Sequence, residues 1–232
     1  MMRRNEELYM VPPENDKTGY CREKRTPWFR RYVLFLSVFM FAPVLPSSAN
    51  TVQTEPSQII NNLNAALLQS MKRGNQLGYE GRYRLLSPVI RDSFALSHTA
   101  RVVVGGYWKT FSEEERNVYL KTYADWTVAT YAGRFDDYSG EHFKMISELE
   151  PDRDTATVTS KLIESNSDEV EFNYLLRRME GAWRIVDVRI LDVSQLALTK
   201  AQFVSILGLK GFNGLISMLN GKIRDMSHSK GK

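Results

Sequence analysis

HFKMISELEPDRDTATVTSKLIESNSDEVEFNYLLRRMEGAWRIVDVRIL, residues 142–191, is the stretch that decides the fold. Strand-length runs at 142–149, 155–163, 169–179 and 183–191 are separated by Pro151-Asp152, by Ser165-Asn166-Ser167-Asp168 and by Glu180-Gly181, all residues that favour turns. Inside the runs the apolar residues alternate: Ala156, Val158 and Leu162; Val170, Phe172, Tyr174 and Leu176; Val186, Val188 and Ile190. A period of two places each set on one face of a pleated strand. The links are too short for crossover helices, so the strands form an antiparallel meander.

Outward from this block, the period becomes helical on both sides. Upstream, Pro56 suits a first helical turn, and Ile60, Leu63, Leu67 and Met71 recur at helical spacing. The stretch 74–78 breaks that helix, and Ser87-Pro88 reads as a cap and first turn restarting it toward Phe94. A short apolar piece at 98–104 stops at Gly105-Gly106. Ser112-Glu113-Glu114-Glu115 is a capping box, and Tyr119, Tyr123, Trp126 and Thr130 follow on one helix face. Downstream, Leu196, Phe203 and Ile206, then Phe212, Leu215, Leu219 and Ile223, are helically spaced. Gly208, Gly211 and Gly214 between them read as a bend or cap, since no Gly-Lys-Ser/Thr follows to make a phosphate cradle. The expected fold is α+β: an antiparallel sheet of about four strands, with N- and C-terminal helices packed on one face around an apolar pocket. The residues alone leave two outcomes open at that face. Its side chains pack into a solid core, or a curved sheet and its helices leave an apolar gap that suits an acyl chain or a polycyclic hydrocarbon.

The first 49 residues read differently from the rest. Arg22, Lys24, Arg25, Arg30 and Arg31 precede the apolar run 32–45, and Pro46-Ser47-Ser48-Ala49 follows with small residues. That is the order of an export signal, and the run is shorter than the roughly 18 to 20 residues that span a bilayer. Residues 1–49 are therefore expected to be a signal peptide and 50–232 the exported domain. Cys21, the only cysteine, falls before the apolar run, so the exported part holds no disulfide. Of the +4 formal charge, most belongs to the first 49 residues; after Ala49, 23 basic residues face 22 acidic ones. A nucleic-acid binder needs a basic face, and this balance speaks against one.

Catalytic signatures are sparse. There is no His-Glu-x-x-His and no Gly-x-Ser-x-Gly, and His98, His142 and His228 lie in separate elements, where they read as surface or satisfied histidines. Asp136, Asp137 and Glu141 near a helix-to-strand turn read as solvated acids rather than a metal site. No cofactor, metal or catalytic residue is expected. The enzymatic alternative is a small isomerase of the NTF2-like kind, with Asp187 as the acidic group in a cone-shaped pocket.

Two blocks carry a resemblance. Residues 94–141, FALSHTARVVVGGYWKTFSEEERNVYLKTYADWTVATYAGRFDDYSGE, run from an apolar segment ending in Gly and Trp through an acidic cap and an aromatic helix to Tyr and Gly-Glu. Trp183-Arg184-Ile185-Val186-Asp187-Val188, Val193-Ser194, Gln202-Phe203 and Gly211-Phe212-Asn213-Gly214-Leu215 follow in order. Together they resemble the MlaC family of soluble components of lipid ABC transport systems, over residues 59–223. The chain departs from the family pattern at Asp192, where Gly often precedes Val-Ser, and at Lys200, where Arg is usual. The run 194–198 is closer to the HpnM branch, which is associated with hopanoids.

The resemblance implies a periplasmic, non-enzymatic lipid carrier whose ligand is a phospholipid or a hopanoid-type lipid. It implies as partners an inner-membrane lipid ABC transporter complex and, as a further candidate, an outer-membrane lipid complex. With the alternation above, it places the ligand against Val158, Leu162, Phe172, Tyr174, Leu176, Val186 and Val188, under a lid containing Phe203, Leu207 and Leu215.

Overall fold

The computed structural model describes residues 55–228. The expected signal peptide and the terminal stretch 229–232 lie outside the described residues. Helices come first: α1 (Pro56–Lys72), α2 (Gly74–Ser93), α3 (Leu96–Val104) with a 3₁₀ turn at Gly105–Lys109, and α4 (Glu113–Ala132). A five-stranded antiparallel meander follows, β1 (His142–Asp152), β2 (Thr155–Ile163), β3 (Glu169–Met179), β4 (Ala182–Ile190) and β5 (Val193–Ser194), and α5 (Gln195–His228) closes the chain.

The sheet obeys its alternation in β2 and β3, where every second residue is buried from Ala156 to Leu162 and from Val170 to Leu176. In β4 the phase slips. Leu175 pairs with Asp187 while Leu176 pairs with Ile185, so Val186 is an extra residue in a β-bulge. Trp183 and Ile185 are buried before it, and Val186, Val188 and Ile190 after it. A strict period of two assigns Trp183 and Ile185 to the wrong face, which is how they escape the sequence pattern. β1 runs on through Pro151 to Asp152 with register irregularities, and the turn falls at Arg153-Asp154 instead of Pro151-Asp152. Proline is tolerated there because β1 is an edge strand.

The helices differ from expectation in one place. No restart occurs at Ser87-Pro88; Pro88 sits inside α2, and the break is at Gly78, whose φ of 59° and ψ of 156° leave the helical region. Pro88 and Arg84 are both exposed, so water can satisfy the carbonyl that proline's missing N–H strands. α4 begins as read: the Ser112 hydroxyl accepts from the Glu115 amide, and the Glu115 carboxylate accepts from the Ser112 amide.

Buried polar bonds fix the layers. Asn64 of α1 donates to the Ser160 hydroxyl on β2 at 3.0 Å, the Ser70 hydroxyl donates to the Phe135 carbonyl at 2.9 Å, and Arg82 Nε of α2 donates to the Ala132 carbonyl at 3.0 Å. The last two tie α1 and α2 to the end of α4 and the link beyond it. At the other end of the sheet, Phe94 bridges Ile185 in parallel, and the Ala95 amide donates to the Ile185 carbonyl.

Candidate functional site

Between the sheet and the helices lies a cavity of about 740 Å³, a size that accommodates a small-molecule or acyl ligand. Its position follows from the register. The apolar strand residues that line it are Leu162, Val170, Phe172, Tyr174, Val186, Val188 and Ile190. Leu162 pairs with Val170 and Phe172 with Ile190, so these residues share the half of the sheet that ends at the β2–β3 turn. In the opposite half, Ala156 pairs with Leu176 and Leu176 with Ile185, and there the sheet meets the helices without a gap.

Five of the ten residues expected around a ligand therefore line the cavity: Leu162, Phe172, Tyr174, Val186 and Val188. Leu176 is fully buried, as is Val158, and both pack into the closed core. Phe203, Leu207 and Leu215 are buried and do not line the cavity. Phe203 packs its ring against Tyr123 at 6.3 Å and Trp126 at 5.5 Å, and it is those two α4 side chains that face the space. From α5, only Gln195, Leu196 and Thr199 in the first turns reach the wall.

The roof is mainly α4, through Tyr123, Trp126, Thr127, Thr130 and Tyr131, with Arg134 just past its end and Phe94, Leu96 and Thr99 beside it. The signal for it was present in the sequence as the Tyr119, Tyr123, Trp126, Thr130 face. What the sequence lacked was the depth at which α5 packs, which moves its aromatic residue one layer back.

Chemically the wall is mostly neutral, with Arg134 and Asp187 as its charged members, and the mouth is acidic. Burial pushes the Tyr123 hydroxyl up to about 12 and raises those of Tyr131 and Tyr174, so all three remain un-ionised donors at neutral pH. Arg134, on the first residues past α4, is pulled down to about 8 by burial and stays charged at pH 7. Asp136 is pushed up to about 6, chiefly by burial, with Arg82 opposing. Six carboxylates line the mouth: Asp136, Asp137 and Glu141 before β1, and Glu164, Asp168 and Glu169 at the β2–β3 turn. The two segments meet there: a Cβ on Gly140 would lie 3.6 Å from that of Ser165, and His142 pairs with Ile163.

Asp187, the acid of the enzymatic alternative, also lines the cavity, and its Oδ1 accepts from the Leu196 amide at 3.0 Å. It thus holds the first turn of α5, one of the open amides of a helix start.

A solved structure has the same architecture. The phospholipid-binding protein from Ralstonia solanacearum, determined with a phospholipid bound, superposes with a TM-score of 0.62 at 16% identity, covering 74% of this chain and 96% of that one. In sequence, the chain is 23% identical over 200 residues to the intermembrane phospholipid transport system binding protein MlaC of Haemophilus influenzae, covering 83% of this chain and 91% of the relative. The profile of the MlaC protein family matches residues 61–221. This chain belongs to the MlaC family. Its match begins within α1 and ends within α5, so the cavity and both of its walls lie inside the shared region. The Asp192 departure now has a place in this MlaC-family fold. Ile190 pairs with Val193 across a two-residue turn in which Leu191 and Asp192 have φ of 50° and 63°. A primed turn of that kind favours glycine, as the family pattern has it.

Proposed function

We propose that this protein is a periplasmic carrier that binds one lipid by its apolar part in the cavity and moves it between membranes, as the soluble component of an ABC transport system. The observation that carries the reading is the cavity itself: a mainly aliphatic and aromatic wall in an architecture shared with the solved relative, with most of its charge at the mouth. Apolar surface taken from water contributes on the order of 25 cal/mol per Å², so a hydrocarbon tail is retained inside while a polar head stays where the carboxylates and solvent are. The relative's name and the bound phospholipid of the solved neighbour make a phospholipid the first candidate ligand; a hopanoid-type lipid is the second, on the strength of the 194–198 run alone. Entry is by the mouth at the β2–β3 turn. Energy for transport comes from a membrane partner with its own ATPase, not from this chain, and the reading gives Asp187 a structural rather than catalytic task.

Mass spectrometry of organic extracts tests this directly. Protein purified from the periplasm of a lipid-producing host should carry lipid at a fixed ratio to protein. An extract without lipid, combined with no uptake from vesicles added later, would overturn the reading in favour of a protein that only binds other proteins.

A further inference from the structure

The charges that nearly balance over residues 50–232 are unevenly placed. Residues 93–112, which hold α3 and its 3₁₀ turn, contain Arg101 and Lys109 and no carboxylate between Asp92 and Glu113. Residues 193–224, most of α5, contain Lys200, Lys210, Lys222 and Arg224 and no carboxylate between Asp192 and Asp225. The two segments pack together: a Cβ on Gly105 would lie 3.7 Å from the Lys200 Cε and 4.0 Å from the Val204 Cγ2. Lys200 and Lys210 are exposed, and neither has an acidic partner among the described residues.

The same region is apolar on its outer side. Of nine large apolar side chains exposed among the described residues, five lie at the β4–β5 turn and on α5: Leu191, Val193, Leu198, Val204 and Leu209, the last 80% exposed. Leu198 and Leu209 are about three helical turns apart and so share one side of the helix. Ala201, Gln202 and Ser205 are exposed between them, and the ridge carries no charge. α5 is long and apolar enough to cross a membrane, and little of its apolar stretch is buried, unlike a core helix that meets the same criteria. Phe203, Leu207, Leu215 and Leu219 are buried and hold it to the domain, so it can lie on a bilayer without spanning it.

We propose that the outer side of α5, with α3 beside it, is a docking surface for an anionic lipid bilayer. The leucine ridge enters the headgroup region, and the lysines on the flanks of the helix meet the surface charge. A helix is narrow enough to keep both lysines within roughly a screening length of the surface that the ridge touches. A protein partner would need a groove at once acidic and apolar, whereas an anionic bilayer offers both properties over its whole surface. The inference goes beyond the carrier reading and is tested apart from it.

The test is flotation of the purified exported protein with protein-free vesicles, either phosphatidylcholine alone or equal parts phosphatidylcholine and phosphatidylglycerol. At low salt, about tenfold more protein should float with the anionic vesicles, and the excess should vanish at high salt. Lys200→Gln combined with Lys210→Gln should abolish the preference for anionic vesicles. Leu198→Ser combined with Leu209→Ser should lower flotation about tenfold, with melting temperature and carried lipid unchanged, because neither leucine lines the cavity. No flotation, equal flotation with both vesicles, flotation unchanged by either double variant, or flotation only when membrane proteins are present would overturn the proposal. Each of those outcomes leaves the carrier reading standing, since lipid carried by protein that stays in solution is measured separately. Protein that floats as expected but never carries lipid would overturn the carrier reading and leave the docking surface.

Discussion

Leu191 and Asp192 hold consecutive left-handed backbone conformations without being glycine, at the turn that aims β5 and α5. A left-handed non-glycine residue costs about 1 kcal/mol or more, less for aspartate, whose short side chain bonds locally. Asp192→Gly should therefore raise stability by about 0.5–1 kcal/mol, read as a higher denaturation midpoint with an unchanged slope. Leu191 is the more strained of the two and lies 56% exposed on the cavity wall, an exposed apolar residue kept at a strained site beside the mouth, as expected where strain serves a site. Asp136 tests the electrostatics at the same scale. Burial raises its folded-state pKa to about 6 from an ordinary 3.8, so between about pH 4 and 6 the folded protein binds more protons than the unfolded chain. Stability should fall as pH rises through that window and stay lower above it. Asp136→Asn should remove that slope and stabilise the protein at pH 7 by about 1 kcal/mol, after discounting for the carboxylate's partial exposure. Urea titrations at pH 4.5 and 7 on both proteins measure it, and a slope unchanged in the variant would refute the assignment.

At the scale of elements, α5 depends on one residue. The helix turns at Gly211, with φ of 63° and ψ of −168°, a region essentially closed to other residues. The turn lets Phe212 set its ring edge-on to Phe111 at 5.0 Å, which anchors the second half of the helix to the segment just before α4. A side chain at Gly211 would meet nothing within 4 Å, so Gly211→Ala isolates the backbone cost, and it should destabilise by about 1–3 kcal/mol in thermal or chemical unfolding. The bend was legible in the sequence from Gly208, Gly211 and Gly214, although not which glycine makes it. The same holds elsewhere: the capping box of α4, the strands of the meander and the inward faces of β2 and β3 follow from local pattern. The bulge at Val186 and the uninterrupted passage of α2 through Pro88 do not, because both depend on what an element packs against. Which sheet half is open is likewise a matter of tertiary spacing: Leu162 and Leu176 are alike in the pattern, and only the helices above them differ.

For the molecule as a whole, the question is how a single apolar face can be both core and binding site. The register answers it by dividing the sheet along its strands. Near Ala156, Leu176 and Ile185 the helices close onto the sheet, and this half supplies cooperative stability. Near Leu162, Phe172 and Val188 they stand off, and that half supplies volume. A pair of enlargements separates the two roles. Leu176 is fully buried and does not border the cavity, so Leu176→Trp should overpack the core and cost about 1–3 kcal/mol of stability while bound lipid is largely retained. Val188 borders the cavity, so Val188→Trp can turn its ring into free space; it should cost less in stability yet displace lipid, lowering the bound ratio several-fold. Melting temperature and lipid content are measured on the same preparations, with lipid removed before melting, because a bound ligand stabilises in its own right. If Leu176→Trp lost lipid and Val188→Trp kept it, the open half of the sheet would be the one near Ile185, and the mouth assigned to the β2–β3 turn would be at the wrong end.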